Sequence, residues 1–265
     1  MLINSVSTIN YFWRVIATGI SFITFGIGGL VISQMVFPII CLTTTNKNKR
    51  HQRAQKLIHV SFRCHIAFTK LLGVMSTEVV GKEKLTSNKV QLFLANHPTL
   101  LDVVLIMSLV PRSNCIVKGA LFRNPFLRGV VLAAGYVNNG SAPQQLINDC
   151  VLSLERENSL IIFPEGTRSP SGKRMKFQRA PARIAIEKDI DITPIVITCT
   201  PSALTKGLKW YQIPKRRFHL RLEVGELIKV KTIISAEDVP SLSVRKLTRY
   251  LENYFEKEIL RYEQS

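Results

Sequence analysis

The sequence predicts an α/β fold with a mainly parallel or mixed sheet flanked by helices, preceded by an N-terminal helical segment that anchors the chain in a membrane. Three observations support this prediction. Short apolar runs alternate with helical stretches after residue 81, a long apolar run lies near the N-terminus, and the net charge is +18. Strands that alternate with helices favour parallel pairing, because each helix returns the chain to the same edge of the sheet.

The apolar run is the first element. No charged residue occurs from residue 15 to residue 46, and a membrane-spanning helix needs about 20 apolar residues. Tyr11, Phe12 and Trp13 precede the run and suit an aromatic belt at the membrane interface. Several glycines and Pro38 leave a second arrangement open, in which two half-helices enter the membrane and return. Residues 1–50 are therefore predicted to be a membrane anchor with a basic flank.

The charges around the apolar run predict its orientation. Only Arg14 precedes the run. The basic residues that follow it are Lys47, Lys49, Arg50, Arg53 and Lys56. The positive-inside rule then places the rest of the chain on the cytoplasmic face, at the inner membrane if the source is a bacterium. An anionic membrane surface is an expected partner, since each basic residue near it contributes about 1 kcal/mol.

Residues 51–80 form the next predicted unit, an amphipathic helix that either packs on the following domain or lies in the interface. The body, residues 81–230, alternates strands and helices, and residues 231–265 contain a C-terminal helix. The predicted strands are residues 90–95, 114–118, 159–163, 193–198 and 218–224. The predicted helices of these two units are residues 100–109, 143–156, 180–188 and 244–262.

A histidine and a carboxylate follow the strand at residues 90–95. In sheets of this kind, ligands bind at the carboxyl ends of strands. His97 lies in the loop, and Asp102 lies five residues later near the start of a helix. If the turn brings the carboxylate to one imidazole nitrogen, the other nitrogen is left as a base for a hydroxyl group. We call residues 96–102 the histidine box. The alternative is that His97 caps the helix and Asp102 lies on the surface.

A second polar segment follows the strand at residues 159–163. We call residues 163–169 the glutamate box, which reads Phe-Pro-Glu-Gly-Thr-Arg-Ser. Gly166 allows a tight turn or a close approach to a ligand, and Arg168 can bind a phosphate or carboxylate through two hydrogen bonds. An internal pair between Glu165 and Arg168 is the alternative interpretation.

Together the two boxes resemble those of the glycerolipid acyltransferases, the family typified by 1-acylglycerol-3-phosphate acyltransferase. The sequence NHPTLLD at 96–102 is similar to the family's NHxxxxD box, and FPEGTRS at 163–169 matches its FPEGTRS box. The segment at 193–197 is similar to a later proline-containing box. The resemblance covers roughly residues 75–225 and identifies residues 81–230 as the catalytic domain.

The resemblance implies transfer of a fatty acyl group from acyl-CoA or acyl carrier protein to a hydroxyl of a lysophospholipid, in phospholipid biosynthesis. His97 and Asp102 would be catalytic. The residues implied in substrate binding are Glu165, Gly166, Thr167 and Arg168. No cofactor is implied, and no GxSxG nucleophile motif is present.

The sequence departs from the family in the region that contacts the acceptor. Asn139 stands where an arginine is expected, and residues 177–180 differ from the family's Phe-Lys-Gly pattern. The basic residues that could compensate are Lys173, Arg174, Lys176 and Arg179. Of this region, Asn139, Lys173 and Arg179 are the further candidates for the acceptor site. A lyso-amino-acid lipid or another hydroxylated lipid without phosphate is therefore an alternative acceptor.

Other classes of function are less well supported. No zinc-finger, RNP or helix-turn-helix signature accompanies the basic charge, so we expect no nucleic-acid partner. The five cysteines are scattered and are expected to be small buried apolar residues, and no histidine spacing predicts a metal site. A catalytically silent scaffold and a thioester hydrolase complete the alternatives. The presence of His97, Asp102 and Glu165 argues against the first, and His97→Ala should abolish turnover. Hydrolysis that does not depend on an acceptor would point to the second.

Overall fold

A computed structural model gives the three-dimensional structure of the protein. It describes residues 2–85, 89–124, 127–168, 175–235 and 237–263, with side chains from residue 8 to residue 262. The candidate acceptor-site residue Lys173 lies outside the described residues.

The described strands form one seven-stranded sheet in the order β1-β7-β6-β2-β5-β3-β4. The strands are β1 (Met75–Val80), β2 (Leu92–Ala95), β3 (Ser113–Val117), β4 (Val137–Asn138), β5 (Ser159–Ile162), β6 (Ile192–Thr200) and β7 (Phe218–Val224). All neighbouring pairs are parallel except β6 and β7, which pair antiparallel. The predicted mixed α/β sheet is confirmed.

Helices cover both faces of the sheet. They are α1 (Leu2–Val31), α2 (Phe37–Thr43), α3 (Lys47–Leu71), α4 (Asp102–Met107), α5 (Gly119–Arg123), α6 (Arg128–Ala134), α7 (Pro143–Glu155), α8 (Ala180–Glu187) and α9 (Pro240–Glu263). On one face, Phe93 and Ala95 pack with residues of α3 and α4. On the other face, Leu92 and Leu94 pack with α7, α8 and α9. Because successive side chains of a strand point to opposite faces, β2 is buried on both sides.

The N-terminal apolar segment is helical along its whole described length. A π-helical turn, Ile32–Val36, joins α1 to α2, and the backbone of Val31, Val36 and Phe37 stays in the right-handed helical region. Pro38 lies in the first turn of α2, where its missing N–H is tolerated. The glycines and Pro38 therefore do not divide the segment into two half-helices that return. By length and composition, Thr8–Thr43 is one helix that could cross a membrane.

The structure corrects the predicted unit at residues 51–80. The helix α3 begins earlier, at Lys47, and ends at Leu71, while residues 75–80 form strand β1. This strand pairs with β7, from Met75 opposite Phe218 to Val80 opposite Glu223. The partner is more than 140 residues away in sequence, so local periodicity gave no sign of the pairing.

Further differences concern short elements and cysteines. The helix predicted at residues 100–109 is limited to Asp102–Met107, and α5, α6 and β4 were not predicted. Cys115 and Cys150 are buried as expected, and burial raises the pKa of each thiol to about 12. Cys41 and Cys64 are exposed, so the expectation of burial is wrong for these two.

Candidate active site

The two boxes leave neighbouring strands at the same edge of the sheet. Strands β2 and β5 pair in parallel, with Leu94 opposite Ile162. The histidine box follows β2 directly, and the glutamate box follows β5. Since neighbouring strands lie about 4.8 Å apart, the loops emerge side by side. The carboxyl edge of the parallel strands is thus the candidate active site, as the sequence predicted.

Asn96 anchors the start of the histidine box to the neighbouring strand β6. Its side-chain Nδ2 donates to the carbonyl of Ile197 at 2.8 Å, and its Oδ1 accepts from the Ile197 N–H at 2.7 Å. Asn96 is buried, so both bonds are shielded from water. The pair of bonds fixes where β2 ends, and therefore where the next residue, His97, begins.

His97 and Asp102 are in direct contact. The Nδ1 atom of His97 lies 2.7 Å from Oδ2 of Asp102. Asp102 is completely buried, whereas 17% of the His97 side chain is exposed. The imidazole also lies against the ring of Phe163, with 4.4 Å between the ring centroids. The alternative of a surface carboxylate is therefore wrong, and Asp102 is placed to orient the imidazole.

Thr99 completes the surroundings of the Asp102 carboxylate. The Thr99 N–H donates to Oδ2 at 2.7 Å, and the Thr99 hydroxyl donates to Oδ1 at 2.5 Å. Burial raises the pKa of Asp102, and the bonds from His97 and Thr99 oppose this rise. Because the backbone N–H can only donate, the carboxyl serves as an acceptor. Sequence reasoning did not identify Thr99, although a threonine three residues before a helical aspartate is a capping-type signal.

Glu165 connects the glutamate box to the histidine box. Its Oε1 accepts a hydrogen bond of 2.9 Å from the backbone N–H of His97. Only 7% of Glu165 is exposed, and among the described residues its Oε2 has no hydrogen-bond partner. Burial raises the pKa of Glu165, and the bond from His97 lowers it. Glu165 thus holds the backbone of His97, and its second oxygen lies buried beside the site.

Arg168 contacts a third segment and makes no pair with Glu165. Its Nη1 donates to the carbonyl of Leu204 at 2.9 Å and lies 3.4 Å from that of Thr205. The N–H of Leu100, in the histidine box, donates to the same Leu204 carbonyl at 3.2 Å. Leu204 lies between β6 and β7, in a segment that sequence reasoning did not include in the site.

Gly166 and Thr167 form the turn of the glutamate box. Gly166 has a φ of +68° and donates its N–H to the Phe163 carbonyl. This left-handed conformation explains the glycine, since other residues rarely adopt it. Gly166 is exposed and Thr167 is half-buried. The turn therefore presents its backbone outward beside the buried Glu165.

The two described candidates for the acceptor site lie elsewhere on this edge. Asn139 follows β4, three strands from β2 and thus about 14 Å away in the sheet, and its Oδ1 accepts from the Gly119 N–H at 3.0 Å. Arg179 is exposed at the start of α8, next to Gln178, whose N–H donates to the Pro164 carbonyl. The role of both residues in acceptor binding stays a prediction.

Among the described residues, no group of three or more His, Cys, Asp or Glu side chains could hold a metal ion. The geometry instead supplies an imidazole with one nitrogen bound to a buried carboxylate. The other ring nitrogen is available to take a proton from a hydroxyl group. This arrangement suits general-base catalysis.

Comparisons with known proteins agree with these features. A family model described as Acyltransferase matches residues 76–198. The chain is 30% identical over 149 residues to a 1-acyl-sn-glycerol-3-phosphate acyltransferase from Cocos nucifera, covering 54% of this chain and 48% of that protein. It is 27% identical over 174 residues to the enzyme of the same name from Helicobacter pylori, covering 63% and 69%. The chain thus spans about half the length of the plant relatives it matches.

A solved structure shares the fold. The crystal structure of the 1-acyl-sn-glycerophosphate acyltransferase PlsC from Thermotoga maritima matches with a TM-score of 0.71 and 20% identity, over 98% of each chain. The match extends across the helices before the sheet as well as the sheet itself. Residues 76–198 therefore match the acyltransferase family model, and the resemblance of the chain to the glycerolipid acyltransferases is confirmed.

Proposed function

We propose that the protein is an O-acyltransferase that moves a fatty acyl group from an acyl thioester to the free hydroxyl of 1-acylglycerol-3-phosphate. The observation that carries this proposal is the contact of 2.7 Å between His97 Nδ1 and the buried Asp102 carboxylate, beside the glutamate box. The relatives named as 1-acyl-sn-glycerol-3-phosphate acyltransferases support the choice of acceptor.

The reaction follows from the state of the imidazole. Because the Asp102 carboxylate accepts a hydrogen bond at Nδ1, that nitrogen carries the proton and Nε2 has a free lone pair. Nε2 takes the proton of the acceptor hydroxyl as its oxygen attacks the thioester carbonyl carbon. The C–S bond then breaks, and the imidazolium returns the proton to the departing thiolate. The products are an ester and a free thiol, and no covalent acyl-enzyme is formed.

The surroundings of His97 support this role. The His97 ring lies against Phe163 and the buried Asp102, and 17% of the side chain stays exposed to a substrate. Glu165 fixes the His97 backbone and Asp102 holds the ring at Nδ1, so the ring has little freedom to turn away. A base held in one orientation contributes both proton transfer and alignment of the attacking oxygen.

The proposal is tested by acyl-transfer assays with the full chain in vesicles. Acyl-CoA and acyl carrier protein are each offered as donor, with 1-acylglycerol-3-phosphate or a lyso-amino-acid lipid as acceptor. We expect phosphatidate to form with one donor or both, and His97→Ala to lower its rate of formation by about 10²-fold or more. His219→Ala is the matched control, since His219 is a partly exposed histidine of β7, bonded to Ser76 and Glu78. Transfer only to the lyso-amino-acid lipid would overturn the choice of acceptor, and thioester hydrolysis without an acceptor would overturn the reaction class.

We also propose that the apolar helical segment lies along the membrane interface, with the catalytic domain on the cytoplasmic side. One face of the segment forms an exposed apolar stripe at helical spacing. Its members include Ile9, Phe12, Ile16, Ile20, Ile23, Ile27, Leu30, Met35, Ile39 and Leu42. In the most apolar window of this helix only 17% of the residues are buried. Such a stripe suits burial in lipid.

The opposite face of the segment packs antiparallel along α3, which argues against a helix that crosses the bilayer. Trp13 Nε1 donates to the Leu72 carbonyl at 3.0 Å, and the Phe25 and Phe62 rings lie 6.0 Å apart. At the other end, Arg50 donates to the Thr44 carbonyl. The cations of α3 are Lys47, Lys49, Arg50, Arg53, Lys56, Arg63 and Lys70. A crossing helix would carry them into hydrocarbon, at about 3 kcal/mol for each cation near its centre.

Two measurements test this placement. Alkaline carbonate should release the full chain from vesicles more readily than it releases a bilayer-spanning control protein, because an interfacial helix is held on one side only. Cysteines introduced at both ends of the segment should react with an impermeant thiol reagent from the cytoplasmic side alone. Labelling of the two ends from opposite sides would instead establish a span.

A further inference from the structure

The loop between β6 and β7 contains an exposed apolar tip beside the candidate active site. We call residues 201–217 the β6–β7 loop. The exposed fractions are 45% for Leu208, 47% for Trp210 and 43% for Tyr211. The base of the loop is buried, since Ala203 and Leu204 are 0% and 5% exposed. The loop is therefore anchored at its base and presents three large apolar side chains at its tip.

The tip is continuous with the apolar stripe of α1. The Trp210 ring packs on the helix so closely that a Cβ atom at Gly19 would lie 3.2 Å from it. The Phe22 ring lies 6.4 Å from the Trp210 ring. Arg14 donates a hydrogen bond from Nη2 to the Lys215 carbonyl. The loop and α1 thus form one surface at the edge of the sheet that holds the active site.

All charged residues of the β6–β7 loop are basic. Residues 201–217 contain no acidic residue, and their basic residues are Lys206, Lys209, Lys215, Arg216 and Arg217. Trp and Tyr are enriched where a protein meets the lipid headgroups, because each ring is apolar with one polar group. Lysine and arginine there are attracted to anionic lipid. This combination fits the surface of a membrane that contains anionic phospholipid.

The base of the same loop touches both catalytic boxes. The Leu204 carbonyl accepts from the Leu100 N–H in the histidine box and from Arg168 in the glutamate box. Leu204 has a φ of +52°, which is a strained conformation for a leucine. A leucine kept in this conformation indicates that its carbonyl must point to these two donors.

We propose that the β6–β7 loop is a second membrane-contact element, which seats Leu208, Trp210 and Tyr211 in anionic lipid and holds the two catalytic boxes together through the Leu204 carbonyl. Arg168 is then a positioning residue, which acts through the loop. The proposal rests in part on the proposed interfacial placement of α1, since the two surfaces adjoin. It adds a second contact with the membrane, at the mouth of the active site itself.

The two tryptophans of the chain allow the loop and the helix to be tested separately. Trp13→Phe leaves Trp210 as the sole tryptophan, and Trp210→Phe leaves Trp13 in α1. Each variant is added to vesicles of phosphatidylcholine and phosphatidylglycerol that carry bromine on the acyl chains. We expect lipid to shift the emission of both reporters to shorter wavelength, and bromine to quench both. Quenching of Trp13 without quenching of Trp210 overturns the loop proposal and leaves the placement of α1 standing. Absence of quenching in both variants overturns both.

A pair of leucine variants tests how much the loop contributes to binding of the chain to the membrane. Leu208→Ser should weaken partition of the full chain onto these vesicles about tenfold, as expected when one leucine is removed from lipid. Leu152→Ser is the matched control, because Leu152 is 42% exposed on α7, which covers the other face of the sheet. Equal partition of the two variants overturns the proposal. The proposal is also overturned if Leu208→Ser lowers acyl transfer only when acyl carrier protein is the donor, since the loop would then bind that protein.

Discussion

Asp102 of the histidine box and the charged residues of the glutamate box differ in where their hydrogen-bond partners lie. In the histidine box, the donors of His97 and Thr99 converge on Asp102 within the box. In the glutamate box, Glu165 binds the backbone of His97 and Arg168 binds the carbonyl of Leu204. The contacts of Asp102 are therefore local to the first box, whereas the second box ties the proposed catalytic pair, His97 and Asp102, to other segments of the fold. Substitutions in the two boxes should therefore affect different measured quantities, and by different amounts.

The largest effect is expected within the catalytic pair. His97→Ala should lower kcat by about 10²- to 10⁴-fold, because the general base is lost. Asp102→Asn should also lower kcat strongly, since an amide cannot stabilise the imidazolium. The double variant should be no worse than His97→Ala alone, because the two residues act as one unit. Acyl transfer measured under saturating substrate checks these values, with circular dichroism to confirm folding. Additive losses would show that Asp102 acts independently of His97.

A smaller effect, of another kind, is expected at Arg168. Arg168→Lys should lower kcat by about 10- to 100-fold, because the position of the catalytic boxes relaxes while the chemistry is retained. The KM for 1-acylglycerol-3-phosphate should stay close to that of the parent. Steady-state kinetics with varied acceptor separate the two parameters. If instead KM rises while kcat is kept, Arg168 binds the acceptor phosphate, as the family resemblance implies.

A substitution at Gly166, in the turn of the glutamate box, should lower the stability of the fold. Gly166→Ala should destabilise the fold by about 1 to 2 kcal/mol, because the φ of +68° is costly for any residue with a Cβ atom. Space is not limiting, since an added Cβ would lie 3.8 Å from its nearest neighbour, Gln178. Thermal unfolding in detergent measures the change. Gly26→Ala is the control, since Gly26 lies within α1 with nothing within 4 Å, and this variant should be neutral or slightly stabilising. Equal behaviour of the two variants would contradict this prediction.

The smallest effect is a change in pH dependence at Glu165. Burial raises the pKa of this carboxyl in the folded protein above its unfolded value of about 4.3. The folded state therefore binds the proton more tightly, and the contribution of Glu165 to stability falls as the pH rises from the unfolded pKa to the folded pKa. In Glu165→Gln the side chain does not titrate, so this fall in stability with rising pH is absent. The stability of the parent relative to Glu165→Gln should thus be higher at pH 4 than at pH 7, as measured by thermal unfolding at both values. A relative gain of the parent with rising pH would mean that the carboxylate form is the stabilised one.

The main strands and the contact between His97 and Asp102 could be predicted because their signals are local. The apolar run at residues 92–95 ends in a polar loop, and His97 and Asp102 lie within one turn of each other. Strand β1 could not be predicted, because its polar residues obtain their place from β7 far along the chain. Arg168 was expected at the acceptor, yet its nearest partner is a backbone carbonyl 36 residues away. No pattern of side chains in the sequence predicts that Arg168 binds this backbone carbonyl.

The sequence by itself determined the alternation of strands and helices, the apolar segment and the two boxes, because each depends on residues that are neighbours along the chain. The tertiary structure decided which of their atoms meet. It directed Glu165 to the backbone of His97, laid the apolar segment along α3, and brought the β6–β7 loop against both boxes. The physical reason is that these contacts join segments whose approach is fixed only when the sheet forms and its edge loops are brought side by side.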